Sequence, residues 1–214
     1  MSCKESFYYQ IEHFSKNFET IAPDFLGFGK SAPLNSAFSV DDYARWLATF
    51  CELQDLKNMH IICHSFGARV ALKALSQGYI SADKLIITGG AGIVKARTLK
   101  YKIRVKVYRA LKKIAPRFAE KHCGSKEYRA LSPVMKESYK KIVNEDLSLS
   151  ASQIVSDVLL IYGKDDKTTP LKEEGQIFNR LIKNSRLVAL DGGHFCFCQN
   201  YQDFNRIAHG FLTE

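Results

Sequence analysis

Two rhythms of apolar and polar positions alternate along this chain. Short, mostly apolar runs at Met59–Ile62, Lys84–Thr88, Val158–Tyr162 and Arg186–Leu190 have the length and composition of strands covered on both faces. Between and around them, residues 40–53, 66–77, 171–182 and 201–211 carry apolar positions at helical spacing. Thr20–Ala22 predicts one more short strand ahead of the first of these helices. Strands alternating with helices predict an α/β fold, a mostly parallel sheet flanked by helices on both faces. There is no internal repeat and no low-complexity segment.

From Lys95 to Ser150 the alternation stops. Leu99–Val107 alternates strictly, which by period alone argues for a strand, whereas Ile103, Val107, Leu111, Ile114 and Phe118 also fall at helical spacing. Charge is concentrated here: Lys95–Lys141 holds 16 Lys/Arg against 3 Asp/Glu, so a whole-chain charge of +9 leaves the remainder at about −4. A basic stretch of this kind admits three readings. Lys and Arg solvate a face while their stems cover apolar surface, or they attract anionic substrates or an anionic membrane surface, or they bind nucleic acid. The last is the weakest, because no nucleic-acid-binding motif accompanies the charge.

Candidate chemistry sits just past the ends of the predicted strands, the edge where open parallel sheets build their sites. Cys63-His64-Ser65-Phe66-Gly67 joins a strand to a helix, a tight turn that lifts a hydroxyl out of the backbone. Gly67 fits because a side chain there would crowd helix against strand. The second glycine usual in such turns is replaced by Cys63. Val158–Tyr162 runs into Gly163-Lys164-Asp165-Asp166, with two carboxylates, and Arg186–Leu190 runs into Asp191-Gly192-Gly193-His194. A serine hydroxyl is a poor nucleophile at neutral pH and needs a base within hydrogen-bond reach. Histidine suits that role, and a carboxylate fixes its tautomer and stabilises the imidazolium.

The order serine, acid, histidine, with Ile21-Ala22-Pro23-Asp24-Phe25-Leu26-Gly27-Phe28-Gly29-Lys30-Ser31 ahead of them, resembles the α/β-hydrolase superfamily from about Ser6 to Leu212. The resemblance implies Ser65 as nucleophile, His194 as base and Asp166, three residues after Gly163, as the acid, with Asp165 as the alternative on a solvated turn. It implies Phe66 N–H as an oxyanion-hole donor, a structural role for Asp24 in its loop, and a core of residues 1–94 and 151–214 interrupted by a helical cap at 95–150. The 99–118 stretch is then read as helix. Family members ordinarily begin with further strands, and the loop after the third carries a His-Gly segment that supplies the other oxyanion donor. Here Met1–Phe7 leads straight into the first helix. The expectation is an N-terminally shortened hydrolase lacking an internal strand between Thr20–Ala22 and Met59–Ile62.

The implied activity is cleavage of an ester, thioester or related acyl bond in a small-molecule substrate, anionic or lipid-like if the basic cap selects it. A hydrolase-like ligand-binding protein, or an inactive fragment, is the alternative. No metal-ligand spacing recurs among His13, His60, His64, His122 and His209, so no metal or cofactor is expected. His64 is expected to pack or hydrogen-bond beneath the turn. Six scattered cysteines without a CxxC pair, no charged-then-apolar leader and no apolar run long enough to span a bilayer predict a reduced, cytoplasmic protein.

Overall fold

The computed structural model describes residues 3–94, 103, 114 and 126–214. A 3₁₀ turn, Lys4–Phe7, leads into α1 (Tyr8–Phe14), then α2 (Val40–Leu53), β1 (His60–His64), α3 (Phe66–Ser76) and β2 (Lys84–Thr88). After β2 come α4 (Lys126–Ala130), α5 (Pro133–Asn144), α6 (Ser148–Ser152), β3 (Asp157–Gly163), a π-type turn Leu171–Gly175, α7 (Gln176–Leu181), β4 (Ser185–Leu190), α8 (Cys196–Gln199) and α9 (Tyr201–Thr213).

The four strands form one parallel sheet in the order β1-β2-β3-β4, with Ile61 opposite Leu85, Ile86 opposite Leu159 and Leu160 opposite Leu187. Side chains alternate across a strand, so each strand feeds two cores. Leu85, Ile87, Leu160 and Tyr162 pack with Ala68, Leu72 and Phe178 on one face, while Ile86, Leu159 and Ile161 pack with Phe197, Phe204, Ala208 and Phe211 on the other. Complete burial of a residue such as Ile86 or Leu160 contributes about 1.5–3 kcal/mol, which makes β2 and β3 the anchor of the sheet. Ile61 and Ile62 of β1 are only partly buried.

Local chemistry sets the helix starts. Ser39 caps α2 by accepting from Asp42 N while the Asp42 carboxylate accepts from Ser39 N at 2.7 Å, a reciprocal box that satisfies two orphan donors. Ser132 caps α5 and Pro133 opens it. α5 is tied to the core by the buried Arg69, whose Nη1 donates to Ile142 O at 3.0 Å and Glu145 O at 2.9 Å, and by Phe38 N donating to Ser138 Oγ at 2.9 Å.

One strand expectation is corrected. Thr20–Ala22 is irregular, and among the described residues no backbone hydrogen bond joins it to a neighbour. A strand exists only where a ladder satisfies its backbone, and no partner lies beside this segment. The helix expected over 171–182 begins as a π-type turn, with Glu173 N and Glu174 N both donating to Pro170 O at 2.9 Å. The helical reading of 99–118, most of the basic stretch and most of the expected cap lie outside the described residues.

Candidate active site

The turn after β1 is strained at its centre. Ser65 has φ 50° and ψ −106°, a left-handed backbone that costs a non-glycine residue of order 1–3 kcal/mol. Neighbours hold it there: Ser65 N donates to Thr88 O at 3.2 Å, and Ser65 O accepts from Ala68 N at 3.2 Å. Gly67 is less demanding than the spacing suggested, because a methyl group there would meet Cys63 Cβ at 3.4 Å, an ordinary contact. Cys63 is buried and fills the position of the usual second glycine, its burial pushing the thiol pKa up.

The ends of β3 and β4 bring Asp166 and His194 to this turn. His194 Nε2 lies 3.0 Å from Ser65 Oγ, and His194 Nδ1 lies 2.8 Å from Asp166 Oδ2. Asp166 is buried, whereas Asp165 is exposed, its N–H donating to Gly192 O at 3.0 Å. Burial pushes the Asp166 carboxyl up, but hydrogen bonds from His194, Thr169 N and the Thr169 hydroxyl outweigh it and hold the group below the ordinary carboxylate value. A carboxylate so held stays ionised beside the imidazole through the neutral range. Phe66 N–H, the first amide of α3, has no acceptor among the described residues and lies at the positive end of the helix.

Three contributors carried no clear sequence signal. Thr169 Oγ1 lies 2.8 Å from Asp166 Oδ2, 3.0 Å from Gly89 O and 3.1 Å from His194 Nδ1, so one hydroxyl ties acid, base and the β2 turn together. Gly89 has φ +50°, and a Cβ there would lie 3.2 Å from His194 Nδ1 and 3.4 Å from Asp166 Oδ2. His64, expected beneath the turn, reaches further: its Nε2 lies 2.9 Å from His194 O, and the two rings are 4.6 Å apart. A carbonyl only accepts, so Nε2 of His64 carries the proton, fixing the tautomer and the loop that bears His194.

His64 also makes a pH prediction. Burial first, and the neighbouring His194 second, lower its pKa from 6.5 to about 4. The folded pKa is depressed, so its contribution to stability is complete above 6.5 and is lost as pH falls toward 4. The shift corresponds to about 3 kcal/mol at the acid end. Urea unfolding followed from pH 7 to pH 4 should show the wild type losing more stability than His64→Gln by about that amount; parallel curves would show that His64 is not buried neutral.

Cys196 is fully buried and Cys198 half-buried, and burial pushes both thiols up, as suits packing residues beside the site. Asp24 holds its loop, accepting from Lys4 N at 2.7 Å and Lys30 N at 3.1 Å. Among the described residues no group of three or more His, Cys, Asp or Glu is placed to hold a metal ion.

A parallel sheet with a serine on a left-handed turn and an acid and a histidine on later strand ends has the architecture of an α/β hydrolase. Residues 2–135 match the family described as alpha/beta hydrolase fold, more than half of the chain, and the chain belongs to that family. Solved structures agree on the fold. A bromoperoxidase from Bacillus anthracis superposes with a TM-score of 0.80 at 18% identity, covering 99% of this chain and 88% of that one. The esterase EaEST from Exiguobacterium antarcticum gives 0.79 at 21% identity, covering 100% and 88%. A meta-cleavage product hydrolase from Pseudomonas fluorescens gives 0.73 at 18%, covering 100% and 86%. In sequence, a Mycobacterium tuberculosis protein described only as uncharacterised is 29% identical over 89 residues, 42% of this chain and 26% of its own length. The chain thus matches about a quarter of that curated relative.

Proposed function

We propose that the protein is a serine hydrolase that cleaves an ester, thioester or related acyl bond through a covalent acyl-enzyme. The observation that carries this reading is the continuous path Ser65 Oγ, His194 Nε2, His194 Nδ1, Asp166 Oδ2, with steps of 3.0 Å and 2.8 Å between residues. Ser65 Oγ attacks the acyl carbon as His194 Nε2 takes its proton, and Asp166 stabilises the imidazolium. Phe66 N–H donates to the oxyanion as it forms. His194 then returns the proton to the leaving group, and water, activated by the same imidazole, attacks the acyl-enzyme and frees Ser65. The similarity to an esterase and other hydrolases supports this class of reaction.

A fluorophosphonate probe tests the reading on the full chain. Labelling that requires both Ser65 and His194 is the expected result; an unlabelled, folded protein would sink it. Gly89→Ala should cut the labelling rate by about 10²-fold, because its Cβ would press on the Asp166–His194 pair and displacements of about 1 Å cost that much. Labelling at the wild-type rate would show that the turn relaxes without moving the imidazole.

Selectivity for anionic or lipid-like acyl substrates is supported by the 16 Lys/Arg against 3 Asp/Glu of Lys95–Lys141. A panel of acyl chains and head-group charges, run at low and high salt, tests it: preference for anions should shrink as salt rises. The cysteine usage supports a reducing, cytoplasmic setting, and no described helix is long and apolar enough to cross a membrane.

A second reading, a hydrolase-like ligand-binding protein without turnover, has one observation in its favour. No His-Gly segment precedes Ser65, so the second oxyanion donor found in similar enzymes has no counterpart there. Loss of one such donor costs about 10²–10³ in rate. Slow but Ser65-dependent labelling would still assign the chemistry to the first reading.

A further inference from the structure

β1 pairs with β2 on one side only, so the backbone of His60–His64 presents a free edge. Alongside that edge runs a groove of about 650 Å³. One wall is β1 itself and the facing wall is the irregular segment Glu19–Phe25, with Phe14, Phe18 and Phe50 among the apolar side chains that close it. The groove runs from His60, at the start of the strand, to Phe66 and Gly67 beside the Ser65 turn.

Both walls have unsatisfied hydrogen-bonding capacity. Among the described residues, the backbone of residues 19–23 makes no backbone hydrogen bond, and the free side of β1 makes none to the opposite wall. His60 Nδ1 is likewise buried without a hydrogen-bond partner. Unpaired backbone next to apolar side chains is the chemistry that an added strand satisfies, with the ladder giving affinity and the side-chain contacts selectivity.

We propose that this groove receives a single extended, predominantly apolar polypeptide strand supplied by another chain, which hydrogen-bonds to His60–His64 and extends the sheet. The facing wall excludes the edge-to-edge sheet pairing through which a second copy would dock, because only one strand's width lies open. The fold accommodates more polypeptide than these residues provide: 12–14% of the chains of the bromoperoxidase, the esterase and the meta-cleavage product hydrolase has no counterpart here. The proposal is independent of the chemistry at Ser65.

The test uses the full chain and a peptide of about six residues of alternating Val and Thr between lysine pairs. Trp46, the sole tryptophan, contacts Phe25 at 5.4 Å and Phe50 at 5.7 Å between ring centroids, and both phenylalanines line the groove, so its fluorescence reports occupancy. Expected results are a saturable Trp46 signal and amide exchange at residues 60–64 slowed about tenfold or more, since a new ladder must open before exchange. N-methylation of alternate peptide amides, which removes ladder donors and keeps the apolar surface, should weaken binding about tenfold. So should Ile21→Asp, which places a charge on the groove wall at a residue already 41% exposed and leaves the core intact. Equal binding of the methylated peptide would make the groove an apolar ligand cleft, and no protection of residues 60–64 at millimolar peptide would mean the edge takes no strand; either result overturns the proposal.

Discussion

Ser65→Ala is expected to lower turnover of an activated acyl ester by about 10⁶-fold, to the level that binding alone supplies. The size follows from the chemistry: without Oγ no acyl-enzyme forms, and His194 Nε2 loses the group whose proton it takes, 3.0 Å away. Folding should not suffer. Ser65 holds a left-handed backbone that costs alanine a similar penalty, and its amide and carbonyl bonds to Thr88 and Ala68 do not involve the side chain. Steady-state kinetics beside a denaturant melt checks both halves. Turnover within tenfold of wild type would remove Ser65 as the nucleophile, and a collapsed melt would return the loss to folding.

Asp166→Asn is expected to cost about 10⁴-fold in kcat, with KM little changed, because an amide offers the imidazole an N–H where a carboxylate offers an acceptor and so favours the wrong tautomer. The partner Asp165→Asn should change neither constant, since Asp165 is exposed on the turn while Asp166 Oδ2 lies 2.8 Å from His194 Nδ1. The pair of variants separates a local requirement for one carboxylate from a general need for negative charge on this loop. The pH dependence carries a sign as well. The folded carboxyl of Asp166 lies below its ordinary value, so its stabilising contribution is present above the unfolded pKa and lost as pH falls through the folded one. Asp166→Asn should therefore flatten the acid limb of the stability curve below about pH 4, below the window assigned to His64. A variant with wild-type kcat, or an Asp165 variant with the larger loss, would overturn the assignment.

Thr169 and Gly89 show why a site is more than its reactive groups. In the chain, Thr169 reads as one more polar residue before Pro170, and Gly89 as one more turn after an apolar run. Only the register of β2 beside β3 carries the Gly89 carbonyl to the Thr169 hydroxyl and leaves room above Gly89 for the Asp166–His194 pair. The grip of His64 on the His194 carbonyl spans 130 residues, a distance in sequence that no periodicity records.

Local rules made much of the fold legible. The apolar runs at β2, β3 and β4 and the helical spacing of α2, α3 and α9 depend on near neighbours, so they appear in the chain at nearly their structural bounds. The serine, acid and histidine could likewise be singled out, because their residue types and their places past strand ends follow from the chemistry they suit. The choice of Asp166 over Asp165 was different: position in a resemblance suggested it, and burial against His194 distinguishes the two. Thr20–Ala22 shows the limit most clearly. Its composition permits a strand, but a strand is a relation between two segments, and the tertiary structure sets a groove where a partner would lie. The sequence by itself determined which segments are apolar, how they repeat and which side chains are chemically able. The tertiary structure decided which of them meet, because hydrogen bonds and burial depend on what lies across the sheet rather than along the chain.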